Sequence, residues 1–210
     1  MDLKEYLVMT KADNTKKAVM EKLSQAIMNR EVVHNVEMSH LDMSFSDLSN
    51  LMAEVMIANG VNLKGSNLMD ILLIDCEFRK ANLESCILEN AQMADCFFDG
   101  ANFRNAEMQR VKLSVSYCDD ACFDEVDFSD GDLSGTLCQK SSFRNADLTR
   151  IDAENCSFQG ADLRGANLTE GNFTDVDFTK AKLDGIVWTG ANLTKAKFDK
   201  GIREEILKLV

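Results

Sequence analysis

The 210-residue sequence contains no proline, only two histidines and one tryptophan, and no long apolar run. Without a stretch of about 18 apolar residues, we predict that the chain does not span a bilayer. The N-terminal residues Met-Asp-Leu-Lys-Glu-Tyr lack a basic start followed by an apolar core, so we expect no signal peptide. The absence of proline suits a backbone that needs nearly every N–H group for hydrogen bonding.

The seven cysteines are odd in number and lack the paired spacing of a zinc site. They are typical of reduced thiols, so we expect a cytoplasmic protein. The sequence also contains no glycine-rich phosphate loop and no nucleophile elbow. We therefore predict a non-catalytic protein with no cofactor and no metal site.

Positive charge is scarce outside the N-terminal segment. Residues 1–30 carry six basic and four acidic side chains, whereas residues 31–200 carry fifteen basic and twenty-nine acidic ones. Such a chain is a poor ligand for nucleic acid or an anionic membrane and a good one for a basic protein surface. Solubility alone is the alternative explanation for the charge.

The sequence has a strict five-residue period. Every fifth residue counted from Leu163, from about residue 31 to 200, is apolar or small, and the residue two places earlier is usually also small or apolar. This period fits neither an α-helix nor a β-strand, and a fixed short period predicts a solenoid. Eight of the eleven glycines occupy the last place of the unit, where we expect a corner with positive φ.

The repeated unit carries a family resemblance. Ala81-Asn82-Leu83, Ala101-Asn102-Phe103 and Ala161-Asp162-Leu163 resemble the A(D/N)LXX unit of the pentapeptide repeat proteins, and the resemblance covers about four-fifths of the chain. It implies an all-β solenoid, a right-handed quadrilateral β-helix of about eight coils, with one unit per side and twenty residues per coil. With strands ~4.8 Å apart, the rod would be roughly 40 Å long.

A twenty-residue coil predicts which side chains stack on successive coils. Phe103, Phe123 and Phe143 should form one column, and Cys118 should lie under Cys138. Two further columns should stack Phe78 with Phe98 and Phe158 with Phe178 and Phe198. The Asp or Asn of each unit recurs with the repeat, so we expect it to bond nearby backbone at the corners.

Both ends of the chain lie outside the repeat. We assign residues 1–30 to a helical N-terminal cap, 31–200 to the β-helix and 201–210 to a C-terminal helix. In the cap, Asp2 with Glu5 would start one helix, and a second would start after Asn14 or Thr15. The second helix would have one apolar face, formed by Val19, Leu23, Ala26 and Ile27.

Two sets of apolar residues near the ends of the solenoid would be exposed to solvent unless another segment or subunit covers them. In the early coils they stand at normally polar positions: Met52, Val55, Ile57, Met69, Leu72 and Ile74. Either the N-terminal cap folds back over them or another subunit covers them, and we favour the cap. In the tail they would cap the last coil or join the tail of a second molecule in a homodimer: Ile202, Ile206, Leu209 and Val210.

The first functional hypothesis follows from the resemblance. Gyrase-protecting members of the family, the Qnr, MfpA and AlbG groups, are acidic rods that mimic DNA on DNA gyrase or topoisomerase IV and protect it from quinolones or toxins. This chain shares the size, the negative charge and a helical tail with them, although its five-residue frame lacks the loops of the Qnr proteins of enteric bacteria. Its net charge of −14 over residues 31–200 falls well short of the about 24 charges of a duplex of that length. The residues predicted to meet a basic partner form an acidic belt: Asp95, Asp99, Asp119, Asp120, Asp124, Glu125, Asp127, Asp130 and Asp132.

The second hypothesis is a protein-interaction scaffold or secreted effector unrelated to topoisomerases. Phe97, Tyr117 and Leu137 occupy equivalent, normally polar positions on successive coils. They predict an outward apolar stripe, which is typical of a contact surface. Alternatively, the N-terminal helix could pack against this stripe. Neither hypothesis involves direct contact with nucleic acid or a membrane.

Overall fold

A computed structural model describes the backbone of residues 3–206 and 208–209, and the side-chain environments from residue 13 onward. Its elements are the helix α1 (Leu3–Asn29), the strands β1 (Val32–His34), β2 (Met52–Glu54) and β3 (Leu72–Ile74), and the short helix α2 (Arg203–Ile206). The three strands pair in parallel in the order β1-β2-β3, each residue with the one twenty positions later. Beyond β3 the same pairing continues as isolated bridges as far as Asp177 and Lys197. The chain therefore forms a right-handed β-helix type of solenoid.

The unit 81–85 shows how a five-residue unit can use all of its backbone N–H groups. Leu83 and Ser85 donate to carbonyls of the following coil at 2.7 and 2.9 Å, and Asn82 donates to the preceding coil at 2.8 Å. Ala81 donates to Phe78 across the corner, and the N–H of Glu84 donates to the side chain of Asn82 at 3.2 Å. A proline anywhere in such a unit would remove a hydrogen-bond donor that is in use, which is consistent with the absence of proline from the sequence.

The bridges form four columns, and these define four faces of the rod. The first face comprises residues 31–35 and the units that follow it at intervals of twenty residues. The second, third and fourth faces begin with residues 36–40, 41–45 and 46–50 in the same way. From Asn35 to Lys195, the last residue of each unit forms the corner with a φ of 51 to 74°, in the left-handed region that glycine tolerates most easily.

The core is a set of side-chain ladders along the axis, as the period predicts. Phe103 and Phe123 stack with their ring centroids 4.8 Å apart, and Phe123 and Phe143 stack at 4.6 Å. Phe158, Phe178 and Phe198 form a second ladder, and Phe78 stacks on Phe98. All of these rings except that of Phe198 are buried, so the every-fifth-residue prediction is confirmed.

The N-terminal segment differs from the prediction of two helices. It forms a single helix, α1, that continues through Asn14 and Thr15, because the segment contains neither proline nor glycine to interrupt it. Leu23 and Ala26 are buried at the end of the solenoid, and Val19 and Ile27 pack partly against the core, as expected of this face. The predicted capping residue Asp2 lies outside the described residues. Neither helix, so far as the structure describes them, has the length and apolarity required to cross a membrane.

Candidate binding surface

Acidic side chains are concentrated on two faces that share an edge. The first and fourth faces each carry eight acidic and only two basic residues between residues 31 and 200, whereas the second face carries seven and six and the third six and five. On the first face the acids are Glu31, Glu54, Asp75, Asp95, Asp132, Asp152, Glu154 and Asp175. On the fourth they are Asp47, Asp70, Glu89, Glu107, Asp127, Asp130, Asp147 and Glu170. We refer to these two faces together as the acidic side.

The residues of the predicted acidic belt encircle the rod. Asp95 and Asp132 lie on the first face, Asp99, Asp119 and Asp120 on the second, Asp124 and Glu125 on the third, and Asp127 and Asp130 on the fourth. A contiguous stretch of sequence passes around all four faces within one coil, which is why neighbours in sequence point in different directions. One partner surface can therefore contact only part of the belt.

Asp124 requires a correction, because it is buried rather than exposed, with 1% of its surface accessible. One carboxylate oxygen, Oδ2, accepts hydrogen bonds from Arg104 Nη2 at 2.7 Å and Arg144 Nε at 3.0 Å, with a further one from Arg144 Nη2. The other accepts from the Ser142 hydroxyl and, at 3.0 Å, from the Arg144 N–H. Burial acts to raise the pKa of Asp124, but the hydrogen bonds from Arg144 and Ser142 outweigh it and hold the pKa below its ordinary value. Asp124 is thus a structural carboxylate.

Basic residues of adjoining coils neutralise further members of the belt. Arg150 Nε lies 2.6 Å from Asp130 Oδ1, and its hydrogen bonds lower the pKa of that carboxyl group. Asp99 lies 3.3 Å from Arg79 Nε. Sequence reasoning missed these pairs because residues 113–139 contain no lysine or arginine. The pairing arginine stands twenty residues from its aspartate in the sequence, in the same column of the neighbouring coil.

The predicted apolar stripe is present on the second face. The rings of Phe97 and Tyr117 are stacked with centroids 4.9 Å apart, and the backbone bridge from Tyr117 to Leu137 extends the column. Tyr117 is 43% exposed, while Phe97 and Leu137 are half-buried. The guanidinium of Arg79 lies 4.4 Å from the centre of the Phe97 ring and closes the N-terminal end of the stripe. Helix α1 crosses the end of the rod, and none of its described contacts involves this stripe.

The C-terminal residues divide into one buried and two exposed members. Ile206 of α2 is 6% exposed, whereas Ile202 and Leu209 are 36% and 64% exposed, and Val210 lies outside the described residues. Leu183 and Ile186, on the last coil, are only partly buried because no further coil stacks on them. Ile206 is therefore placed to act as a cap, and Ile202 and Leu209 are accessible.

The cysteines offer little accessible chemistry. All seven are free thiols, and Cys122 alone among them is partly exposed. Burial raises the pKa of the Cys86 thiol to about 12. Within the described residues, no three His, Cys, Asp or Glu side chains come together in a way that could hold a metal ion.

The fold is similar to those of known proteins at low sequence identity. QnrB1, a plasmid-mediated fluoroquinolone resistance protein, is 16% identical with a TM-score of 0.54, over 85% of this chain and 97% of QnrB1. HetL, involved in heterocyst differentiation regulation in the cyanobacterium Nostoc sp. strain PCC 7120, is 20% identical with a TM-score of 0.40, over 81% of this chain and 88% of HetL. No curated protein matches the sequence. At such identities the likeness to QnrB1 shows the fold alone.

Family models match the repeat itself. A model of a pentapeptide repeat region matches residues 139–205, and a model of eight pentapeptide repeats matches residues 58–90 and 88–114. Together they cover more than half of the chain, in the part where structure and sequence both repeat every five residues. The chain therefore belongs to the pentapeptide repeat proteins.

Proposed function

We propose that this protein is a non-catalytic, DNA-mimicking rod that binds a type II topoisomerase, DNA gyrase or topoisomerase IV, and protects it from quinolones or related toxins. The observation that supports this proposal is the acidic side. Sixteen carboxylates project from two adjoining faces that carry four basic residues, while the opposite two faces are nearly balanced. A one-sided field of this kind is what a basic DNA-binding groove would attract.

The charge density of the acidic side is comparable with what a duplex presents to a protein. Duplex DNA carries one charge per ~1.7 Å, or about 24 over a length of roughly 40 Å, and a partner on one side meets about half of them. The acidic side carries a net charge of that order. The proposal thus requires the partner to contact the acidic side of the rod. Contact with every residue of the acidic belt is not required.

The test is a supercoiling assay with purified gyrase and topoisomerase IV. We expect the protein to relieve quinolone inhibition, or to inhibit supercoiling by competing with DNA, at about micromolar concentration, with an effect that weakens as salt increases. A protein that changes neither activity, with or without quinolone, would contradict the proposal.

A second candidate function, a scaffold for another protein, is favoured by the stripe. The stacked pair of Phe97 and Tyr117 lies beside the column of Asp99 and Asp119, which stand two positions further along the same units. Exposed aromatic residues of this kind are enriched at the energetic centres of interfaces. Once a partner protein other than a topoisomerase has been isolated, the double variant Phe97→Ser/Tyr117→Ser should fail to bind it while retaining any effect on gyrase. Unchanged binding of that partner would rule out the stripe as its contact.

A further inference from the structure

The first face changes character along the rod. Its N-terminal coils carry an apolar patch, which we define as Val32, Met52, Val55, Leu72 and Ile74. Val32, Val55 and Ile74 are 41%, 43% and 43% exposed, and Met52 and Leu72 are half-buried. In the later coils the central column of this face is polar throughout: Gln92, Lys112, Asp132, Asp152, Asn172 and Asn192.

Helix α1 does not cover the apolar patch, contrary to the interpretation that we favoured from the sequence. Its buried residues Leu23 and Ala26 lie over the end of the core, and Lys22 reaches the carbonyl of His34 at 3.3 Å. Beside the patch, Ile27 borders an open groove of about 540 Å³ whose floor includes Met52 and Leu72. The helix crosses the end of the rod and leaves the side of the first three coils open.

Charged residues on one edge of the patch are arranged in a self-complementary way, whereas Glu54, in the coil of Met52, lies 3.1 Å from His34 Nδ1. Arg30, Asn50 and Asp70 form one column on the edge between the fourth and first faces, at intervals of twenty residues, and all three line the groove. Among the described residues Arg30 has no ion-pair partner, and Asp70 receives only a hydrogen bond from Asn90 at 3.0 Å. The cation Arg30 and the anion Asp70 therefore lie on opposite sides of the neutral Asn50, each one coil away from it.

We propose that the apolar patch binds a second copy of this chain, with the two rods antiparallel and related by a two-fold axis at the level of Met52. A closed two-fold contact requires a surface that complements itself. About this axis Val32 of one copy faces Leu72 of its partner, and Met52 faces Met52. The same rotation places Arg30 opposite Asp70 twice, so that the contact satisfies the unpaired charges while it buries apolar surface.

The molar mass of the full-length protein, measured by light scattering or sedimentation over a range of concentrations, tests this pairing. We expect a dimer, and Leu72→Asp should weaken it at least about tenfold by placing two carboxylates in the apolar contact. The fold should accept this change because Asp132 and Asp152 occupy the same column naturally. Asn172→Asp, which adds the same charge five coils further along that column, is the matched control and should leave the dimer unchanged.

A charge exchange tests the two-fold relationship itself. Arg30→Asp and Asp70→Arg should each weaken the dimer, and the double variant should restore it, because the rotation brings the two positions together. Arginine should be tolerated at position 70, since Arg110 and Arg150 have φ values within a few degrees of that of Asp70 in the same column. A monomeric wild-type protein would overturn the proposal. So would a dimer that survives Leu72→Asp and is lost in Leu209→Asp, which would place the contact at the tail. Neither outcome depends on gyrase binding.

Discussion

Arg144 and Asp124 stand twenty residues apart, and the guanidinium of Arg144 binds the buried carboxylate of Asp124 through both Nε and Nη2. Arg104, on the preceding coil, binds the same carboxylate oxygen from the other side at 2.7 Å. Asp124 thus ties three successive coils together on the third face. Both arginines remain partly exposed, so only the carboxylate has lost its water.

Replacing Asp124 should therefore lower stability without any partner being involved. We expect Asp124→Ala to reduce the free energy of unfolding by about 1–3 kcal/mol, since the hydrogen bonds to a buried charge are lost while the arginines can still be hydrated. Chemical denaturation followed by circular dichroism measures the effect. Asp120→Asn, an exposed corner residue in the preceding unit, is the control and should change stability little. A neutral Asp124→Ala would mean that the cluster contributes nothing.

The same cluster predicts a pH dependence. Because the folded pKa of Asp124 lies below its ordinary value of 3.8, its contribution is complete above that value and is lost as pH falls through the folded pKa. The stability difference between wild type and Asp124→Ala should accordingly be constant near neutral pH and shrink below about pH 4. Denaturation series at several pH values provide the measurement, and a difference that grew on acidification would contradict the assignment.

Val115 has a φ of 58°, which places a β-branched residue in the left-handed region. Its side chain is 57% exposed and gains little from packing to offset that conformation. We expect Val115→Asn to stabilise the protein by about 1 kcal/mol and raise the melting temperature by about 2–4 °C. The reverse change, Asn155→Val at the equivalent corner two coils further on, should destabilise by a similar amount. A melting temperature that does not respond to either change would refute the strain argument.

Thiol labelling should distinguish one cysteine from the other six. Cys122 is partly exposed and the other six cysteines are buried, and burial raises the pKa of thiols such as Cys86 and Cys138. In the native protein we expect one equivalent to react rapidly with a thiol reagent, and Cys122→Ser to abolish that phase. Rapid reaction of two or more thiols in the Cys122→Ser variant would show that the coils open far more readily than their packing indicates.

Removal of charge from the acidic side should weaken the proposed gyrase contact more than the same change elsewhere. The test variant is Asp152→Asn/Glu154→Gln/Glu170→Gln, on the acidic side. The control, Asp120→Asn/Glu125→Gln/Asp184→Asn, removes three exposed acids from the second and third faces. We expect the first to lower affinity about 5- to 50-fold and to reduce its salt dependence, and the second to have less effect. Equal effects would mean that net charge and not the acidic side attracts the partner.

The fold could be predicted from the sequence because one signal repeats along most of the chain. Leu83, Phe103 and Leu163 each fall on the five-residue beat, and each is buried as the beat requires. The Asp and Asn residues bond the backbone at the corners as expected, for example Asn102 to the N–H of Arg104 at 3.1 Å. Local periodicity is sufficient to predict the fold because every coil packs its inward residues in the same way.

The surface was harder to predict, since it depends on which coil neighbours which residue. Asp124 belonged to an apparently exposed acidic run, and its burial follows from Arg104 and Arg144, twenty residues to either side. The single continuous α1 was missed for a different reason: Asn14 and Thr15 are typical residues for the start of a helix, yet they lie exposed within one. Weak local preferences of this kind are readily overridden by the packing of Leu23 and Ala26.

The four-sided coil makes the length of an insertion or deletion decide its consequence. Loss of twenty residues would shorten the rod by one layer, ~4.8 Å, and leave each remaining side chain on its own face. Loss of a single five-residue unit would keep the interior in phase but turn everything downstream by a quarter revolution. The carboxylates before and after such a deletion would then no longer point the same way, so a protein with an intact core could lose its binding surface entirely.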